Sequence, residues 1–85
     1  MQNPENILIN YFEKKYPNNT GLLNRLKINA GKKNYTYCLK IIIKHCDYED
    51  CLWFENNLMK PFMIPVDFLY ISDIIFNYIS EGSKD

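Results

Sequence analysis

The most reactive side chains of this sequence are concentrated between positions 38 and 51. Within these fourteen residues lie four groups that can ligate a metal or act as nucleophile and base: Cys38, His45, Cys46 and Cys51. Structural zinc sites usually supply ligands in pairs two to four residues apart, whereas these cysteines are spaced C-x7-C-x4-C. On an extended segment Cys38 would lie about 26 Å from Cys46, and His45 would point to the opposite face. The pattern therefore predicts no metal site, although a helical segment would fit one better.

A cysteine paired with His45 would be the minimal arrangement for nucleophilic catalysis. Adjacent residues on a strand face opposite ways, and no glycine-rich loop accompanies the pair. The glycines Gly21, Gly31 and Gly82 stand alone, so no phosphate-binding loop is indicated. We expect a non-enzymatic protein without cofactors, whose thiols stay reduced in the cytoplasm.

Two helices are predicted before this region. Asn3 is a capping residue, Pro4 suits the first helical position, and apolar residues follow at helical spacing. A second helix is expected from a Thr20 cap to a terminating Gly31.

The apolar pattern changes at Asn34. From Tyr35 to His45, apolar residues alternate with others at the period of a half-buried strand. Asp47–Asp50 would form the turn and 51–55 the return strand. The inner face of this hairpin would consist of Tyr37, Leu39, Ile41, Ile43 and Phe54. A competing interpretation makes Asp47 the N-cap of a helix over Tyr48–Met59.

The segment after Met59 contains Pro61 and Pro65, which favour a loop or an edge strand. A final helix is expected from about Asp67 to Ser80, with Ile71 and Ile75 in the core, followed by a frayed tail at 81–85. The predicted fold is therefore α+β: one domain over 1–85 with two N-terminal helices, a β-hairpin and a C-terminal helix.

Charge is segregated along the chain. Residues 1–46 carry a net charge of +6 and residues 47–85 carry −6, so that the total is zero. Such asymmetry indicates a surface for a partner of defined sign.

The order of a second helix followed by a hairpin resembles a winged helix-turn-helix domain over residues 4–55. This resemblance rests on element order alone. It implies a regulator that binds DNA or RNA through its basic second helix, with phosphate contacts from Arg25, Lys27, Lys32 and Lys33.

The preferred hypothesis is a small non-catalytic binding protein that regulates or inhibits a macromolecular partner by occupying its surface. Exposed aromatic residues beside an acidic turn favour a protein partner or a homodimer. The expected contact residues are Tyr48, Trp53, Lys44, Asp47, Glu49 and Asp50, with Lys44 stacked on the indole.

Composition adds two expectations. The longest apolar runs are far shorter than the ~20 residues of a membrane span, and no secretory signal is evident, so a soluble cytoplasmic protein is expected. Asn, Ile, Lys and Tyr make up 38 of the 85 residues. Because these residues have A/T-rich codons, we expect a low-GC source such as a Firmicute, its phage or plasmid, or a virus.

Overall fold

A computed structural model describes residues 2–67, and all regular structure within this range is helical. The helices are α1 (Pro4–Lys15), α2 (Thr20–Gly31), α3 (Tyr35–His45) and α4 (Tyr48–Phe54). Helix α4 continues through a π-helical segment, Glu55–Met59, into a short helix α5, Lys60–Phe62. The predicted α+β fold is therefore wrong for the described residues.

Asparagine side chains begin the first three helices. The side-chain oxygens of Asn3, Asn19 and Asn34 each accept the backbone N–H three residues further on, at 2.8, 3.2 and 3.2 Å. These bonds satisfy N–H groups that have no partner within the helix. The two predicted N-terminal helices are confirmed, except that Asn19 and not Thr20 caps the second.

The first predicted strand is helix α3. The alternating pattern led to a wrong strand prediction, because Ile41, Ile42 and Ile43 are all buried. An alternating strand would have turned Ile42 outward, but a helix packed on two sides buries a wide arc of its circumference. The β-branched isoleucines favour strands by propensity, and burial against neighbouring helices outweighs that preference.

The return strand and its turn are helix α4, so the competing helical interpretation was correct. Asp47 and Asp50 form a capping box at its N-terminus, a pattern in which each residue satisfies a free backbone N–H of the other. With no hairpin, the described residues contain no wing, and the winged-helix resemblance fails.

The π-helical segment precedes Pro61. A proline inside a helix has no N–H to donate, and its ring collides with the carbonyl four residues earlier. Here the N–H of Lys60 bonds the carbonyl of Glu55, five residues back. The wider turn moves backbone carbonyls away from the proline ring, so helical structure continues to Phe62. Met63 then ends it in the left-handed conformation, with φ of 51°.

The helices pack in chain order, α1 on α2, α2 on α3 and α3 on α4, and the π-helical segment returns to α1. The most deeply buried apolar side chains come from α1 to α4 and from the π-helical segment: Leu8, Phe12, Leu26, Cys38, Ile42, Phe54 and Leu58. The predicted burial of Ile41, Ile43 and Phe54 is confirmed, whereas Tyr37, expected inside, is 44% exposed.

After α5 the chain returns to the start of α3, where the N–H of Asp67 donates to Oγ1 of Thr36 at 3.2 Å. The predicted C-terminal helix, with Ile71 and Ile75, and the predicted tail at 81–85 lie outside the described residues. Among residues 2–67, no helix has the length and apolar character needed to cross a membrane.

Candidate functional site

Asp50 is the one charged residue buried within the described part of the chain, with no exposed surface. Its Oδ1 accepts hydrogen bonds from the Tyr11 hydroxyl at 2.7 Å and the Lys15 ammonium at 2.6 Å. Its Oδ2 accepts from the Tyr16 hydroxyl at 2.5 Å and from the N–H of Asp47 at 3.1 Å. We call these four side chains, Asp50, Tyr11, Lys15 and Tyr16, the Asp50 cluster.

The local sequence explains this geometry. Tyr11 and Lys15 are four residues apart on α1 and so share one face of that helix, and Tyr16 caps its C-terminus. Asp50 is the third residue of α4, where a carboxylate also bonds the capping N–H. The cluster therefore joins the end of α1 to the start of α4.

The shifted pKa values of the cluster favour an ionised Asp50 and protonated Tyr11, Lys15 and Tyr16. Burial raises the pKa of Asp50, but the hydrogen bonds from Lys15, Tyr16 and Tyr11 outweigh it, and the pKa is lowered overall. Burial and the bond to Asp50 raise the pKa of Tyr11 to about 12, and the pKa of Tyr16 is also raised. The bond to Asp50 raises the pKa of Lys15 despite partial burial. A carboxylate held ionised by four donors is suited to structural stabilisation, and poorly suited to accepting a proton in catalysis.

Trp53 lies beside the cluster and is half-buried. Its ring stacks on Tyr11, with centroids 3.8 Å apart and planes at 14°, and meets Phe12 edge-on at 5.9 Å. The ring stacked on the indole is thus Tyr11, whereas Lys44 lies exposed on α3. Trp53 belongs to the packing between α1 and α4.

The structure separates the predicted partner-binding residues. Asp50 is buried and Trp53 is packed on α1, so neither presents a full side chain to a partner. Tyr48 and Glu49 are exposed in the first turn of α4, and Asp47 is exposed with a carboxylate oxygen 3.6 Å from the Lys15 ammonium. Of the three predicted acids, Asp50 belongs to the Asp50 cluster, Asp47 lies beside its Lys15, and Glu49 is exposed.

The predicted phosphate-binding residues occupy two sides of α2. Arg25 and Lys32, seven residues apart, lie on one face. Lys27 lies on the other side, where its ammonium is 3.5 Å from a carboxylate oxygen of Glu13 on α1. Lys33 is in the turn after α2, in the left-handed conformation with φ of 61°.

Helices α2 and α3 together present a surface that the sequence did not indicate. The Cys38 sulfur lies 3.9 Å from the Leu26 carbonyl, and Arg25 and His45 line one shallow pocket of about 200 Å³. His45, at the end of α3, thus lies near the start of α2, whereas Cys38, near the start of α3, lies near Leu26 further along α2. The two helices are therefore antiparallel, and their exposed sides adjoin near Arg25 and His45. We call this surface the α2–α3 face, and its exposed residues are Arg25, Ile28, Lys32, Tyr37, Lys44 and His45.

The α2–α3 face has an apolar part among cations. Ile28 is 58% exposed and Tyr37 is 44% exposed, and the ammonium of Lys40 lies 5.9 Å from the Tyr37 ring centroid. From residue 20 to residue 46 the sequence contains six Lys and Arg and no Asp or Glu. The absence of acids in this stretch could have identified the face from the sequence, but only once both segments were known to be helices.

Burial disfavours the thiolate form of all three cysteines. Burial raises the pKa of Cys38 and of Cys46 to about 12, and that of Cys51 to about 11. Since the thiolate is the nucleophile and the metal ligand, such thiols react slowly. Among residues 2–67, no three side chains of metal-ligating types lie close enough to hold an ion.

Comparison with known proteins adds no assignment. No family model matches the chain, and neither a curated protein sequence nor a solved structure matches it significantly.

Proposed function

We propose that this protein is a non-catalytic binding protein that regulates or inhibits a macromolecular partner by occupying its surface, and that it binds through the α2–α3 face. One observation carries the proposal: residues 20–46, which contain the packed helices α2 and α3, include no Asp or Glu, and Arg25, Lys32 and Lys44 are exposed on the face that these helices share. A surface of one sign favours a partner of the opposite sign, and accelerates encounter with it. The partner is therefore negatively charged.

The availability of these side chains supports the choice of face. Arg25, Lys32 and Lys44 are exposed, so they can approach a partner without disturbing the core. The acidic residues near the start of α4 are less available, because Asp50 is buried and Asp47 lies near Lys15. This argument moves the proposed contact away from the acidic set that the sequence suggested.

The apolar residues of the face support a stable contact as well as electrostatic attraction. Exposed charges alone contribute little, typically below about 1 kcal/mol for each pair. Ile28 and Tyr37 add apolar surface that binding can remove from water, and tyrosine is enriched among residues that dominate binding energy. A polar rim around an apolar centre is the usual organisation of a binding surface.

The state of the reactive groups supports the non-catalytic part of the proposal. The buried carboxylate of Asp50 accepts four hydrogen bonds, and burial raises the pKa of each thiol. An ionised carboxylate whose oxygens are occupied accepts a proton poorly, and a protonated thiol is a poor nucleophile.

Fluorescence anisotropy of the full chain, labelled at its N-terminus and titrated with heparin as a polyanionic probe, tests the proposal. We expect binding that weakens as salt concentration rises, and a clear loss of affinity in the double variant Arg25→Ala/Lys44→Ala. The double variant Lys14→Ala/Lys60→Ala is the matched control, because it removes the same charge elsewhere and should bind as the native chain does. Equal loss in both variants, or no binding to heparin, contradicts the proposal.

A further inference from the structure

We infer that the negatively charged partner is a single-stranded nucleic acid, which lies along the α2–α3 face with a base stacked on Tyr37. This inference rests on the proposed function and specifies the class of its partner. It uses three properties of the face: its charge, its exposed aromatic ring and its width.

The charge favours a nucleic acid over an acidic protein. Interfaces between proteins are depleted of lysine at their centres, and they commonly pair charges of both signs. Interfaces with nucleic acid are much more positive. Two of the three cations on this face are lysines, Lys32 and Lys44, and the surrounding sequence from 20 to 46 contributes no acid. A phosphate backbone matches this distribution.

The aromatic ring favours unpaired bases. Tyr37 exposes 44% of its surface, and Lys40 lies 5.9 Å from its ring centroid. Proteins that bind single strands combine cationic side chains along the backbone with aromatic rings on which bases stack. The bases of a duplex are already stacked on one another and cannot cover a side-chain ring without distortion. Ile28, exposed on the adjoining helix, offers apolar surface to a neighbouring base or sugar.

The width of the face disfavours insertion into a duplex. Packed helices lie about 8–10 Å apart and each is about 10–12 Å across, so two helices side by side span about 20 Å. The major groove of B-DNA is about 12 Å wide. Helix α3 is flanked by α2 and by α4, so the exposed side of α2 would have to approach a duplex together with α3. A flexible single strand can follow the surface of both helices.

The test uses the full chain and fluorescein-labelled oligo(dT), with the same strand annealed to oligo(dA) as the duplex. We expect the single strand to bind more tightly than the duplex. If Arg25, Lys32 and Lys44 each neutralise one phosphate, the logarithm of the binding constant should fall with the logarithm of salt concentration with a slope of about −2. In Arg25→Ala/Lys44→Ala the slope should shrink to about −0.7, whereas Lys14→Ala/Lys60→Ala should keep the native slope.

Stacking is tested separately from charge. Replacing Tyr37 by Leu should weaken oligo(dT) binding by about tenfold, within the range for loss of one stacked base, and Tyr37→Phe should retain most of the affinity. Tyr48→Leu is the matched control, because Tyr48 is 45% exposed but lies on α4 and not on α2 or α3. Far-UV circular dichroism confirms that each variant is folded.

The outcomes separate this inference from the proposed function. Heparin binding without oligo(dT) binding overturns the nucleic-acid inference and leaves the charged binding face standing. Tighter binding to the duplex, or no effect of Tyr37→Leu, overturns the single-strand mode. Failure to bind either polyanion removes both proposals.

Discussion

The ammonium of Lys15 lies 2.6 Å from Oδ1 of Asp50, although the two residues are 35 positions apart. The lysine is partly exposed and the carboxylate is completely buried. Taking a carboxylate out of water is costly unless its oxygens are satisfied. Lys15 is therefore one of four donors that satisfy this carboxylate, and the position of α4 against α1 depends on all four hydrogen bonds.

Asp50→Asn should destabilise the protein strongly. The amide carries no charge to pair with Lys15. Its NH₂ group would also face hydrogen-bond donors at a position where a carboxylate oxygen now accepts their hydrogen bonds. We expect a loss of about 3–5 kcal/mol in the free energy of unfolding, typical of a broken buried ion pair, measured by urea denaturation.

Asp47→Asn is the control for that experiment. Asp47 is exposed, and asparagine caps helices about as well as aspartate does, so we expect a change below about 1 kcal/mol. Similar small losses in both variants would mean that the Asp50 cluster does not hold α1 against α4.

The same cluster sets the dependence of stability on acid. The pKa of Asp50 is lower in the folded protein than the value of about 3.9 for an unfolded aspartate. Its ionised form is thus favoured by folding, and the stabilisation is present above pH ~4 and lost as the pH falls through the folded pKa. Thermal unfolding of the native chain should show a drop below about pH 4. The part contributed by this residue should be missing in Asp50→Asn.

In alkali the sign is reversed. Folding raises the pKa of Tyr11 to about 12 and raises that of Lys15, so both groups hold their protons more tightly in the folded state. Their contribution is complete below about pH 10 and is lost as the pH rises through the folded values. Tyr11→Phe should reduce this alkaline loss. An unchanged alkaline profile in that variant would contradict the role assigned to the Tyr11 hydroxyl.

How far the sequence predicts this fold depends on the element. Helices α1 and α2 were predictable because proline, asparagine and glycine mark their ends and their apolar residues keep one period. Helix α3 was not, because the isoleucines at 41–43 are buried together and fit either period. The Asp50 cluster could not be predicted from the sequence either, because an aspartate in a turn is normally exposed. Only the packing of α1 on α4 brings Tyr11 and Lys15 to Asp50.

Lys33→Gly should stabilise the protein. Lys33 has φ of 61° in the turn between α2 and α3, a conformation that is unfavourable by roughly 1–2 kcal/mol for a residue with a side chain. Glycine adopts it without that penalty, although its greater freedom in the unfolded chain offsets part of the gain. We expect the free energy of unfolding to rise by about 0.5–1 kcal/mol.

Lys32→Gly is the matched control for this substitution. Lys32 has φ of −87°, so glycine relieves no strain there and should leave stability unchanged or lower. Both variants remove one positive charge from the same turn, which cancels the electrostatic contribution. A gain in both, or in neither, would contradict the conformational argument.

Ile42 and Tyr37 together distinguish the helix from the strand that the sequence suggested. On an alternating strand Tyr37 would be inside and Ile42 outside, whereas in α3 Ile42 has no exposed surface and Tyr37 is 44% exposed. Ile42→Ala should therefore lower the free energy of unfolding by about 2–5 kcal/mol, the range for truncation of a buried isoleucine. Tyr37→Ala should lower it by much less, because exposed substitutions usually change stability by about 0.5 kcal/mol or less. Urea denaturation of both variants measures the order directly, and the reverse order would mean that this segment is not the helix described here.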